Sequence, residues 1–200
     1  MADNHPPKGG RPMRLPLLAP PDLSAAQRAL YDDMRTVIDG EFGQFVAVRG
    51  DGALLGPFNA WLHFPDFGCA AWAFNRSLWD HAQLPATIHQ LVALVTVSRF
   101  GAGYAIYGHE YFAHRAGLSK AKIATIAAGL RPADLTEEER VAYDMAAALQ
   151  RGGFLAESTY QAVVDRFGVP GAAEMVFLVG CFSMVAVTLN AFDAAAPRVD

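Results

Sequence analysis

The stretch GAGYAIYGHEYFAHRAGLS, Gly101 to Ser119, carries three tyrosines, two histidines and a glutamate between a glycine pair and an Ala-Gly-Leu turn. Residues about 3.6 apart share a helix face, which sorts it into two stripes. One holds Ala102, Ala105, His109, Phe112 and Ala116, small and apolar apart from a single imidazole. The other holds Tyr104, Tyr107, Glu110 or Tyr111, and His114. A small-residue stripe lets another helix approach closely, so His109 is expected in an interior. Glu110 and His114, at i and i+4, suit a pair on the solvent side. Gly117 is a left-handed terminator, and Ser119 caps the next helix. His109-Glu110 resembles the start of the zinc motif His-Glu-x-x-His, but the second histidine comes one residue late. Five residues turn through about 500°, so the imidazoles diverge by about 140° and share no metal.

Working outward, the chain reads as further helices. Ser24-Ala-Ala-Gln27 is a capping box opening a helix to about Ile38. The glycine-rich span 41–56 reads as a loop around a short apolar run, with period-two alternation only at Phe45 to Val48. Its Arg49-Gly50-Asp51 matches an adhesion tripeptide, a three-residue pattern too short to carry function. Pro57 opens a short helix through His63, Asp66 to Ala82 forms another, and Pro85 opens a long apolar one through Arg99. Thr136-Glu-Glu-Glu139 is a second capping box, leading to about Arg151. Ser158-Thr-Tyr-Gln161 is read as a third, ending at Gly168, and Pro170 opens the last apolar helix. The expected class is all-α, a single-domain bundle of about eight or nine helices. Residues 1–21 hold half of the twelve prolines and read as an extended arm ahead of a helical domain over 22–196.

Apolar residues make up 52% of the chain and charged ones 18%, below the roughly 25% usual for soluble domains. Subunit interfaces hide such uncharged surface, so a homo-oligomer is expected. The net charge is −4 without a basic run, which gives nucleic acid no electrostatic footprint. Cys69 and Cys181 each lie in an apolar run and read as small hydrophobes rather than a disulfide. The proline-rich start lacks the apolar core of a signal peptide, so the expected location is cytoplasmic. Met175 to Phe192 has no charge over a length near the lower limit for a membrane span. Ser183, Thr188 and Asn190, the acidic flanks Glu174 and Asp193, and the lack of flanking Lys/Arg favour a buried core helix and no membrane.

The opening stretch resembles the carboxymuconolactone decarboxylase / alkyl hydroperoxidase D-like family. In the peroxidase branch of that family a helix ends in Glu. Twelve residues later comes Cys-x-x-Cys-x-x-x-His, followed by Ala-Gly-Leu. On that frame His109 matches the histidine and Ala116-Gly117-Leu118 the turn, while the cysteine positions fall on Ala102 and Ala105 and the glutamate position on Gln90. The resemblance runs from Gly56-Pro-Phe-Asn59 to Leu189-Asn-Ala-Phe192. It implies the family's helical fold and assembly as trimers or hexamers. A thiol peroxidase needs one thiolate to attack and a second cysteine to resolve, and two alanines do neither. What remains is the decarboxylase-like branch, which needs neither sulfur nor cofactor. Several of its members carry Glu at the second cysteine position, where this chain has Ala105.

Chemistry of that kind asks little of a protein. A carboxylate conjugated with a carbonyl loses CO2 if the enolate is stabilised, and a positioned acid then protonates carbon. His109 suits the proton donor or acceptor because histidine titrates near neutral pH. Tyr104 and Tyr107 are candidates to hydrogen-bond the enolate oxygen, and Arg99 to anchor an anionic substrate. Gln90 is a candidate polar group of the pocket, with His114 and Glu110 as further contacts. Asn59 and His63, at i and i+4, present both side chains to one side of a short helix, which the resemblance places near the motif helix, so both are further candidate substrate contacts. The same parts would serve an isomerase or dehydratase working on a small oxygenated acid or lactone. The rival from another class is a silent scaffold that binds an apolar ligand.

Overall fold

The run Ala86–Arg99 has no polar stripe, so no side of it suits water. In the computed structural model, which describes residues 13–197, every residue of this helix from Ile88 to Val97 is buried. It is the axis around which the other elements pack. In chain order the α-helices are α1 (Ala25–Glu41), α2 (Pro57–His63), α3 (Pro65–Asp80), α4 (Ala86–Arg99), α5 (Gly103–Arg115), α6 (Lys120–Ala127), α7 (Glu137–Arg151) and α8 (Glu157–Ala191). Among the described residues there is no strand, only an isolated bridge between Val48 and Leu54. The all-α expectation therefore holds. The turn that this bridge closes carries Arg49-Gly50-Asp51 at its tip, where the Arg49 guanidinium pairs with Asp51.

The capping boxes at Ser24 and Thr136 form as read, each with both reciprocal hydrogen bonds. The third does not. Helix α8 starts at Glu157 with Ala156 as its cap and no side-chain cap hydrogen bond. Leu155 and Tyr160, just before and within its first turn, both pack against the core and set the entry point instead. Helical dihedrals break at Gly168, whose φ of 69° and ψ of 174° suit glycine, and Pro170 restarts the helix.

Beyond that break α8 is apolar on two sides. Its inner side buries Met175, Leu178, Cys181, Phe182, Val185 and Leu189. Its outer side exposes Val176, Phe177 and Val187. The helix is long and apolar enough to cross a membrane, and 56% of its most apolar window is buried in this fold. The α2–α3 corner depends on Gly68, where a Cβ would lie 2.2 Å from the Trp61 carbonyl oxygen.

Residues 1–12 of the expected arm lie outside the described part. Residues 13–19 have no helical turn and are pinned at several points. Asn59 Nδ2 donates to the Pro16 carbonyl, the Leu18 amide donates to Asn59 Oδ1, and His63 Nε2 donates to Pro16 at 2.8 Å. A 3-10 turn at Pro20–Asp22 then leads into α1.

Candidate active site

The cavity against α5 is walled by aromatic rings. Phe42, Phe45, Phe58, Trp61, Trp79, Tyr104, Phe112 and Phe182 line it with Asn75, Ala105, Gly108 and His109. Its volume is about 60 Å³, room for a few waters or a small ligand. Among the described residues no charged one lines it. The tight wall is written in the sequence at Gly56, with φ of 62°, where a Cβ would fall 2.1 Å from the Tyr104 ring.

His109 supplies the imidazole of this cavity and is 6% exposed. Its Nδ1 donates to Gln90 Oε1 at 3.0 Å, which fixes the tautomer and leaves a lone pair on Nε2. The Phe182 ring meets the imidazole edge-on, 4.3 Å between centroids. Burial, helped by the nearby His89, pushes the His109 pKa down to about 3. Of the two expected roles, donor or acceptor, this favours the acceptor, because burial disfavours the charged ring. It enters as a neutral acceptor.

The tyrosines serve a different purpose from the one expected of them. Tyr104 donates to the Val46 carbonyl, Tyr107 accepts from the Val46 amide, and Tyr111 accepts from the Gln44 amide at 2.9 Å. These hydroxyls lace the loop before α2 onto α5, so Tyr104 gives the cavity its ring rather than its oxygen. Burial pushes the Tyr104 phenol up, which keeps it neutral.

The remaining candidates divide cleanly. Gln90 is joined to His109 and also lines an adjoining cleft of about 440 Å³ that shares Phe42, Asn75, Trp79 and Phe112 with the cavity. Arg99 is not brought in; it is exposed and borders a separate depression with Ser98, Tyr143 and Gln150. Asn59 and His63 hold the N-terminal arm instead of facing the cavity. Glu110 is half-buried, where desolvation raises its pKa, and His114 is exposed. Neither lines the cavity. The cations nearest in kind are Arg76 and Arg115 of the cleft. Arg76 pairs with Asp80, and Arg115 donates to the Glu41 carbonyl.

Sequence reasoning passed over a second buried pair. His89, 2% exposed, donates from Nδ1 to Glu174 Oε1 at 3.0 Å, and Glu174 Oε2 also accepts the Gln83 and Leu84 amides. Burial raises the Glu174 carboxyl, but these hydrogen bonds outweigh it and hold the group below the usual carboxylate range. A lone glutamate heading an apolar run was the available signal, since a buried carboxylate requires donors. Cys181 is also buried, its thiol pushed up to about 11 by desolvation, with Asn75 Nδ2 3.6 Å from the sulfur.

No protein-family model and no curated protein matches the chain. A solved structure does resemble it: a protein of unknown function from Agrobacterium tumefaciens, described as a candidate antioxidant defence protein AhpD. The likeness has a TM-score of 0.63 at 16% identity and covers 70% of this chain and 97% of that one. With helices in this arrangement around a buried α4, the chain has the AhpD-like helical fold.

Proposed function

We propose that this protein is a cofactor-independent acid–base enzyme, decarboxylase-like in its chemistry, that works through an enolate on a small lactone or related carbonyl compound. The observation that carries the reading is His109: one imidazole, oriented through Nδ1 by Gln90, with its Nε2 lone pair at an uncharged aromatic cavity. Desolvation makes that ring a weak base while the cavity is empty of charge. An enolate forming beside it supplies the anion that stabilises the imidazolium, so proton transfer and charge separation support one another.

The lack of a cation among the lining residues favours a neutral lactone over a free acid at the reacting end. A carboxylate due to leave as CO2 would be destabilised by the same surroundings. Thiol peroxidase chemistry has little support: alanines stand at both motif positions, Ala105 on the cavity wall, and the Cys181 thiol is buried and held protonated.

Self-association is part of the same reading. Phe64, Phe67, Phe74, Phe177 and Val187 are exposed on the outer sides of α2–α3 and α8, Phe67 to 79%. This apolar patch borders a depression that shares Trp61 with the cavity. A second copy seated there would close off the cavity wall.

The test uses α-angelica lactone, a β,γ-unsaturated lactone read by its isomerisation, and acetoacetate, read by CO2 release. His109→Ala is expected to lower turnover by roughly 10²–10⁴-fold while the fold stays intact. Unchanged turnover in the variant, or a wild type inert towards both probes, would overturn the reading.

A further inference from the structure

The second buried pair is out of place as plain structure. Glu174 already has the two loop amides, and His89 satisfies only one of its nitrogens: Nε2 is fully buried and has no partner among the described residues. Such an orphan costs about 1–3 kcal/mol unless it has a use. Its ring lies against Trp79, 5.0 Å between centroids and tilted by 37°. Trp79 is half-buried, lines both the cavity and the cleft, and rests edge-on against Phe112 of the cavity wall. One indole therefore stands between His89 and the space that His109 faces.

We propose that His89, oriented by Glu174, is a second proton-transfer residue of the same cavity, sealed by Trp79 here and uncovered when that indole turns aside. The inference rests on the enolate chemistry proposed for His109 and narrows it to a proton shift between two carbons, that is, isomerisation of an unsaturated lactone or ketone. In the forward direction neutral His109 Nε2 takes a proton from the carbon beside the carbonyl. The C–H electron pair enters the conjugated enolate, and the carbonyl π pair moves to oxygen. Nε2 of His89, given a proton from solvent while Trp79 stands aside and its charge balanced by the Glu174 carboxylate, then delivers that proton to the far carbon, and the oxygen pair returns to re-form the carbonyl. One proton has moved from His89 to His109, and exchange with solvent resets both rings.

Two measurements test this. The first is carbethoxylation by diethyl pyrocarbonate, mapped by mass spectrometry, with exposed His81 and His114 as internal controls. His89 is expected to react at least tenfold faster in Trp79→Ala than in the wild type, with the controls unchanged. Trp79→Leu is the second variant should the alanine fail to fold. Equal protection of His89 in a folded Trp79 variant would sink this proposal alone. The second is α-angelica lactone in D2O. His89→Gln keeps a hydrogen-bond donor for Glu174 but has no proton to transfer. It is expected to lose isomerisation by about 10²-fold or more while deuterium still enters beside the carbonyl through His109. Isomerisation at the wild-type rate, or joint loss of exchange and isomerisation, would refute the role of His89. A wild type that neither exchanges nor isomerises the lactone defeats the enzymatic reading itself, whatever the footprint shows.

Discussion

His109 and His89 stand on neighbouring helices, both buried and both held through Nδ1, yet their anchors differ in kind. Gln90 gives His109 a neutral amide, and Glu174 gives His89 a carboxylate that is itself held by two loop amides. The first pair borders a cavity; the second is buried, with the His89 ring against Trp79. A neutral anchor in an apolar site leaves the imidazole uncharged and available. A charged anchor ties its imidazole into the frame and gives any charge on the ring a partner. One fold thus carries two histidine environments that answer differently to mutation and to acid.

The widest gap is expected on removing the anchors. Glu174→Ala strips a buried carboxylate from three donors, so it should cost about 3–5 kcal/mol in urea unfolding. Gln90→Ala leaves one buried donor unmet and should cost about 1–2 kcal/mol. Equal losses would mean that the carboxylate pair is no more than an ordinary hydrogen bond, and the contrast would collapse.

Acid separates the pairs next. The folded His109 refuses a proton that the unfolded chain accepts at the ordinary value of 6.5, down to about 3. Its contribution to stability is therefore complete above pH 6.5 and falls steadily as pH drops through that window. Between pH 6.5 and about pH 4 the loss amounts to about 3 kcal/mol. Glu174, held below its unfolded value, contributes above the usual carboxylate range and loses that contribution only as pH falls further, through its folded value. His109→Asn keeps an amide for Gln90 and does not titrate. It should flatten the slope between pH 6.5 and 4 by about that 3 kcal/mol and leave the steeper acid limb in place. A variant whose stability falls in parallel with the wild type would show that His109 titrates freely.

How much of this was legible depended on whether the cause was local. The capping boxes at Ser24 and Thr136 and the turn at Gly117 were readable because a few adjacent residues determine them. The small stripe of α5 placed His109 inside, and the family resemblance singled out Gln90 as a polar group of the pocket, though not its hydrogen bond to His109. The Ser158 pattern misled because packing of Leu155 and Tyr160 sets where that helix begins. The tyrosines looked like a site because they cluster on one stripe. Nothing near them in sequence reveals that their partners are Gln44 and Val46, some sixty residues upstream. His89 and Glu174 lie 85 positions apart, and only the crossing of α4 and α8 makes them a pair.

The smallest effect concerns the one residue that would erase the difference between the two environments. A cation in the cavity would make it suited to anions, and Arg99 was the expected source. Arg99 instead ends α4 on the side of Tyr143 and Gln150, exposed, where a positive charge favours the helix C-terminus. Arg99→Ala should therefore shift stability by no more than about 0.5 kcal/mol and leave lactone turnover within about twofold of wild type. A tenfold loss confined to KM for acetoacetate, with the lactone unaffected, would mean that the guanidinium reaches an anionic substrate after all. The uncharged cavity would then cease to explain why His109 stays neutral while Glu174 holds His89.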